Sequence, residues 1–441
     1  MTNTANKDVM AIEKNYEQLD PTAQKYLLVC SFLALYTPIP IDLISIVVES
    51  ENEDGVIASL QQMTDLNLLE KTSDGFQIQP HIASFVQGKF DSKKLKEILG
   101  ITAKGMETIC KSMDSPTEML PYVKHADTLA QKTQLNKLAV SGFLSGYVGN
   151  YWLSEGNIQE AVLFYRRALL IIEKFSGIDS AEYTEHLNNL GSALHKIKKL
   201  EEAKKCFEQV VITDKKVLGN DHPAVAIGLN NLGQVLLELN NIDGAVLHLE
   251  NALKINTHHY GLNHPLVASG FYNLGMALFD VGNLERAKVE LTQALAIRQN
   301  IYGDLHPSVA ESHHGLGMVF QTIDNITEAE TNYRQAIKIW ENDKKPENIQ
   351  LAASYTNLGG ILHVKGDYSD ANVYYLKGLE IFEVCLPAND KTIRDLRLQI
   401  KLLDHKISMP ELLEKMESGE NLSPELISLL DEIFGAESKG K

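Results

Sequence analysis

Glycine stands at 149, 191, 233, 275, 317 and 359, and alanine at 161, 203, 245, 287, 329 and 371, each series advancing by 42 residues. Small residues hold phase over so many cycles only when one structural unit repeats and each copy meets its neighbours through the same contacts. The chain is therefore expected to fold as an array.

Each cycle holds two amphipathic stretches. Leu187, Leu190, Gly191 and Leu194 recur at helical spacing, and Ala203, Phe207 and Val210 then do the same. A short polar break, such as Leu239 to Asp243, parts the two helices of a cycle. The second helix closes near Gly219, Gly261 or Gly303, where a C-terminal cap favours a residue without a Cβ. The next helix opens at His-Pro: Pro223, Pro265 and Pro307 fit a first turn that needs no amide hydrogen, and His222, His264 and His306 fall at the cap. A glycine inside a helix costs about 1 kcal/mol against alanine, so a glycine in every cycle implies close helix contact. Gly191 is expected to face Ala203 across the hairpin, with the axes toward the short end of the roughly 8–10 Å range for packed helices.

Between Asn188 and Gly191, and again between Asn230 and Gly233, the sequence reads NNLG; it reads YNLG from Tyr272 and TNLG from Thr356, with NDHPAVA, LNHPLVA and DLHPSVA between units. This resembles the tetratricopeptide repeat, in the 42-residue form of kinesin light chains, over about 145–385. The resemblance implies an all-α fold, a right-handed superhelical solenoid of six units across 143–386. The usual unit has 34 residues, so the longer one adds roughly 12 Å of helix in total at 1.5 Å per residue and deepens the groove. Departures are YVGN from Tyr147 in the first unit, Gly315 within the fifth, and Gly378 in the last, where most siblings have alanine.

From Leu19 to Phe90 the 42-residue phase is missing. Helical patterns over about 21–35, 41–49 and 54–66 precede a hairpin signal at Ser73-Asp74-Gly75. Three helices and a hairpin make a small winged helix, expected over 19–91 after a flexible start at 1–18. The string from Leu19 to Gln87 resembles the winged-helix domain that follows the nucleotide-binding core of NB-ARC (STAND) NTPases. The stretch 119–139 resembles the helical linker of such proteins, so 92–142 is read as linker. The P-loop that such a core would bring is not expected among these residues. Gly100 to Gly105 has phosphate-loop spacing but continues Met106-Glu107, without the required lysine and hydroxyl, and Gly435 to Lys441 spells GxxxxGK with no strand before it or helix after it. His81 stands where the family has a nucleotide-contacting histidine, but Ile82 follows it, and His81 is read as a helix-start residue packed against the hairpin.

Charge separates the remaining functions. With 41 Lys+Arg against 58 Asp+Glu, the 441-residue chain carries −17, which repels nucleic acid and anionic membranes. Up to Phe90 there are 5 lysines and 12 acids, 5 − 12 = −7, and Gly55 to Asn67 has no basic residue, so this winged helix is not expected to bind DNA. Cys30, Cys110, Cys206 and Cys385 form no CxxC pair and fit free thiols of a reducing compartment. The apolar run Leu27 to Leu35 follows acids rather than a basic segment, and no stretch reaches membrane-spanning length, which leaves a cytoplasmic, membrane-free protein as the expectation. The adjacent pairs His258-His259 and His313-His314 diverge on a helix, and no HExxH, GxSxG or Cys–His constellation appears. Neither enzyme activity, metal nor cofactor is expected.

The resemblance places the residues before each glycine on the concave face. These are Asn188, Asn189, Asn230, Asn231, Asn273 and Asn357, with Ser192, His195, Gln234, Gln321 and His363 farther along the same helices. An amide offers donor and acceptor, so such a ladder can grip an extended chain, or it can bond adjacent units to each other. The lysines and arginines that hold acidic chaperone termini in this family are represented only by Lys196. A capping helix is expected over 387–406, and two short helices, Met409 to Ser418 and Ser423 to Phe434, within 407–441. The expected function is a non-enzymatic scaffold binding a protein or peptide segment in the groove. Alternatives are a regulatory or sensor subunit of an NB-ARC system whose NTPase is a separate partner, and a peptide-sensing transcription regulator.

Overall fold

The computed structural model describes residues 2–49, 52–342, 348–404 and 414. Among them the chain is helical but for one hairpin, and it divides into two compact units, residues 1–239 and 240–441.

The first unit opens with α1 (Thr2–Tyr16), within the stretch expected as a flexible start; Tyr16 is buried edge-on to Phe85 at 5.9 Å. Asp20 then caps α2 (Pro21–Phe32), its carboxylate accepting from the Thr22 and Ala23 amides, with Pro21 in the first turn. Next come α3 (Ile41–Val47), α4 (Glu53–Asp65), the antiparallel strands β1 (Glu70–Thr72) and β2 (Gly75–Gln77), and α5 (Pro80–Gly88). Gly75 closes the turn at φ +140, and Ile39 pairs with Phe76 as a one-residue extension of the sheet. Leu27, Leu33, Ile39, Leu43, Ile44, Leu60 and Met63 form the buried centre.

Two linking helices follow, α6 (Ser92–Ser112) and, after a 3₁₀ turn at Pro116–Met119, α7 (Val123–Leu135). Polar bonds fasten α7 to the N-terminal module. Fully buried His125 accepts the Ala34 amide at Nδ1 (3.0 Å) and lies 2.8 Å from the Pro38 carbonyl at Nε2. Lys132 reaches the Ser31 and Phe32 carbonyls at the end of α2, a cation where the helix dipole is negative. The helix pairs then begin, with α8 (Val140–Ser154) and α9 (Ile158–Phe175), α10 (Ala181–Lys196) and α11 (Leu200–Leu218), then α12 (Pro223–Glu238).

The second unit starts with α13 (Ile242–Tyr260). It continues through the pairs α14 (Pro265–Asp280) and α15 (Leu284–Tyr302), α16 (Pro307–Thr322) and α17 (Ile326–Asn342), and α18 (Ile349–Val364) and α19 (Tyr368–Cys385). Packed on α19, α20 (Lys391–Asp404) buries Ile393, Leu396 and Leu402 and so covers the last pair. The short helices expected within 407–441 lie outside the described residues, Glu414 excepted.

The glycine contact differs from the expectation. A methyl group built on Gly191 would meet not Ala203 but the Phe207 ring, at 2.8 Å; the equivalents are Tyr165 against Gly149 (2.9 Å), Leu291 against Gly275 (2.7 Å), Tyr333 against Gly317 (2.7 Å) and Tyr375 against Gly359 (2.6 Å). The large residue sits one helical turn beyond the alanine, on the same face of the second helix of the pair, and meets the glycine of the first. The alanines are fully buried beside it. Where that residue is tyrosine, its hydroxyl meets a polar group of the facing helix: Asn150 Oδ1 at 2.7 Å, Gln321 Oε1 at 2.8 Å or His363 Nδ1 at 3.4 Å.

A second column was not anticipated. Residues 156, 198, 240, 282, 324 and 366, again 42 apart, all turn the break between helices with positive φ; three are glycine, and Lys198, Asn240 and Asp324 take the same conformation at φ +59, +60 and +59. The histidine caps are as the spacing suggests. Nδ1 of His222, His264 and His306 accepts from the amides of Ala224, Leu266 and Ser308, each at 3.2 Å.

Candidate partner-binding face

On α10, Leu187, Leu190 and Leu194 turn into the core, which leaves Asn188, Asn189 and Ser192 half-buried on other sides of the helix. Asn231 on α12 donates its amide to Asn188 Oδ1 at 2.9 Å, joining consecutive repeats. Asn189 donates to Asn150 Oδ1 at 3.4 Å, and the Ser192 hydroxyl turns back to the Asn188 carbonyl of its own helix at 3.0 Å. Asn230 and Gln234 are half-buried on α12. His195 Nε2 lies 2.9 Å from Glu238 Oε1, while Lys198 bonds Oε2 at 2.8 Å. The Lys198 ammonium, then His195, hold the Glu238 carboxyl below the usual carboxylate range against the opposing effect of burial.

In the second unit Asn273 is half-buried on α14. Asn357 donates to the Tyr333 hydroxyl at 3.2 Å, and that hydroxyl donates to Gln321. His363, expected on this face, is 3% exposed and sits edge-on to Tyr368 and Tyr375, behind it. Beyond the residues expected from the sequence, Met276, Phe279 and Met318 are half-buried on α14 and α16. Met276 and Met318 are 42 apart and occupy the position of Ser192 and Gln234, the signal that would have found them. The same repeat position is thus polar in the first unit and apolar in the second.

Other titratable groups face inward. His313 bonds Asn332 Oδ1 at 2.9 Å, while its neighbour His314 points elsewhere, 2.7 Å from the Ser354 hydroxyl; burial lowers both pKa values, His314 to about 4. Burial pushes the Cys30 and Cys110 thiols up to about 12, which makes them poor nucleophiles. His81 is exposed at the start of α5, in a depression of about 200 Å³ that it shares with Glu70 of β1 and with Gln79. Among the described residues no group of three or more His, Cys, Asp or Glu side chains converges as metal ligands, and no helix is long and apolar enough to cross a membrane.

The family profile described as Tetratricopeptide repeat matches residues 183–257, 266–342 and 323–383, so this part of the chain consists of tetratricopeptide repeats, and the consecutive packed helix pairs are those of such an array. Solved structures similar to it include BtubC (BKLC) from P. vanneervenii, 22% identical, covering 52% of this chain and 90% of that one, with a TM-score of 0.44. A putative kinesin light chain of Podosopora anserina with nearly identical TPR-like repeats is 22% identical, covering 53% of this chain and 100% of that one, with a TM-score of 0.39. A Rap protein complexed with Competence and Sporulation Factor is 16% identical, covering 80% and 93%, with a TM-score of 0.43. No curated protein matches the chain.

Proposed function

We propose that this chain is a non-enzymatic adaptor that holds an extended segment of a partner protein along the inner helices of its repeats, gripping main chain through asparagine amides. The repeats support a protein-interaction scaffold in general; the use of the amides supports the finer reading. Asn231 spends one N–H on Asn188, Asn189 one on Asn150, and Asn357 one on Tyr333. Each amide has two N–H donors and two lone pairs, so these bonds orient the groups and leave capacity for a passing backbone. Joining repeats and binding a partner are then compatible uses of one ladder. Free thiols suit a reducing compartment, and we place the adaptor in the cytoplasm.

The test pans a displayed random-peptide library on the folded protein and titrates the enriched peptides against wild type and Asn189→Ala/Asn231→Ala. Affinity should fall about tenfold for the pair of lost main-chain bonds. Unchanged affinity in a variant with wild-type circular dichroism refutes the assignment.

The N-terminal module favours a second reading, a regulatory subunit working beside a separate NTPase. The succession of α2, α3 and α4, the hairpin and the Ile39–Phe76 bridge supports this reading, being the order expected of a winged helix. A purified NB-ARC NTPase whose hydrolysis rate is indifferent to the added chain would count against it.

A further inference from the structure

The first unit holds a cleft of about 850 Å³ where the N-terminal module, α7 and the first helix pair meet. None of the asparagines of the candidate face lines it, and it plays no part in the function proposed above. Its floor is aromatic and aliphatic: Val148, Tyr151 and Trp152 from α8 and Phe164 from α9, with Leu120 and Val123 opposite. Leu120 is 66% exposed, a large apolar side chain with little covering it. Pro38 and Pro40 form the remaining wall.

The walls are fastened before any ligand arrives. His125, directly behind, takes the Ala34 amide and meets the Pro38 carbonyl. The Tyr122 hydroxyl donates to Asp42, and the Ile39 amide donates to Phe76 at 2.7 Å. A preformed cleft of this size matches the volumes that enclose compact ligands or short peptide segments, and binding there costs little ordering.

Charge selects the occupant. Asp74, Asp127 and Glu160 line the rim, and Lys124 is the basic residue among them. Asp127 is already paired with Arg167 at 2.8 Å, whereas Asp74 and Glu160 have no ion-pair partner among the described residues. The guanidinium of Arg167 lies over the Phe164 ring at 4.6 Å, so one aromatic of this cluster already receives a cation. With Asp127 offset by Arg167, Lys124 faces the two carboxylates of Asp74 and Glu160, and this excess of negative charge disfavours phosphates and acidic peptides. A cation carried on an apolar frame would bury its stem on the aromatics and meet the free carboxylates with its head.

We infer that this cleft is a docking site for a peptide segment of a partner protein in which an arginine or lysine is flanked by apolar residues. The aromatic floor takes the flanking side chains and Trp152 the face of the cation, while Asp74 and Glu160 pair with its charge.

The test uses the full chain carrying Trp340→Phe, so that Trp152 is the sole tryptophan reporter. The probes are capped tetrapeptides with arginine, lysine, citrulline or glutamate flanked by leucine, phenylalanine or tryptophan, with calorimetry for those that contain tryptophan. Arginine and lysine peptides should saturate the signal, citrulline should bind about tenfold more weakly, and glutamate not at all. Asp74→Asn/Glu160→Gln, which keeps side-chain size and removes the two charges, should remove the arginine-over-citrulline preference, while Asn189→Ala/Asn231→Ala should leave it intact. Absence of saturable binding across the panel overturns the inference, and so do equal arginine and citrulline affinities, preference for glutamate, or indifference to the double acid variant. Loss of binding in the asparagine variant would move these peptides to the other face and overturn it as well.

Discussion

Gly359 and Gly360 are adjacent in α18, and substitution by alanine should move stability in opposite directions. Both positions gain about 1 kcal/mol of helix propensity from the change. A Cβ on Gly360 meets nothing closer than the Tyr375 hydroxyl at 3.8 Å, an ordinary contact, so the gain is kept. On Gly359 the same atom would come within 2.6 Å of the Tyr375 ring and 3.3 Å of the Ala371 carbonyl. Tyr375 is 1% exposed and its hydroxyl meets His363, so the ring has no space to yield, and the backbone oxygen moves only with its helix. Overpacking of this kind costs about 3 kcal/mol at the upper end of its usual range, a net loss of about 2 kcal/mol after the propensity gain. Unfolding of a repeat array need not be two-state, so hydrogen exchange of the α18 and α19 amides is the suitable assay, reading local opening. Exchange should be about 30-fold faster than wild type in Gly359→Ala and about fivefold slower in Gly360→Ala. Protection in Gly359→Ala equal to or above that in Gly360→Ala would refute close ring contact as the reason for the glycine.

Three further outcomes follow from the geometry. His264→Ala should lower stability by about 1 kcal/mol through loss of the cap acceptor, with His264→Asp recovering most of it; equal melting of the two variants would deny the capping role. His314 stays neutral when folded down to about pH 4, whereas the unfolded chain protonates it near 6.5. Acidification from 6.5 to 4 therefore favours unfolding by up to about 3 kcal/mol and then levels off; His314→Phe should flatten that part of the urea-midpoint profile, and an unchanged slope would contradict it. Arg298 is 5% exposed, bonds the Ser308 carbonyl (2.6 Å) and the Ser312 hydroxyl (2.9 Å), pairs with Glu311 (3.3 Å) and lies over Tyr272. Arg298→Met should cost roughly 2–3 kcal/mol for the lost charged bonds, measured by denaturation, and a neutral result would show them dispensable.

The array was legible because its marks are residues of one type at one interval: the glycines, the alanines and the His-Pro starts. The partner of the glycine was hidden in the five described cases because Tyr165, Phe207, Leu291, Tyr333 and Tyr375 keep the phase of the repeat but not the residue type. The left-handed turn position was hidden in the same way, glycine alternating there with lysine, asparagine and aspartate. Bonding between adjacent repeats was one of the two uses the asparagines suggested from their place before the glycine. That it joins Asn231 to Asn188 was not legible, since the pairing depends on the rise from one repeat to the next, which no local pattern encodes. His363 was assigned to the face by its place in the helix, yet the tyrosine-rich last pair encloses it.

Each glycine, the bulky side chain pressed on it and, where present, the acceptor of a tyrosine hydroxyl belong to a single helical hairpin in the five cases described. Gene duplication or deletion that cuts the chain between hairpins therefore transmits a complete interlock, while a cut within one would strand a phenol without its mate. Array length is thus free to drift in whole-hairpin increments, and phenol and acceptor are inherited together.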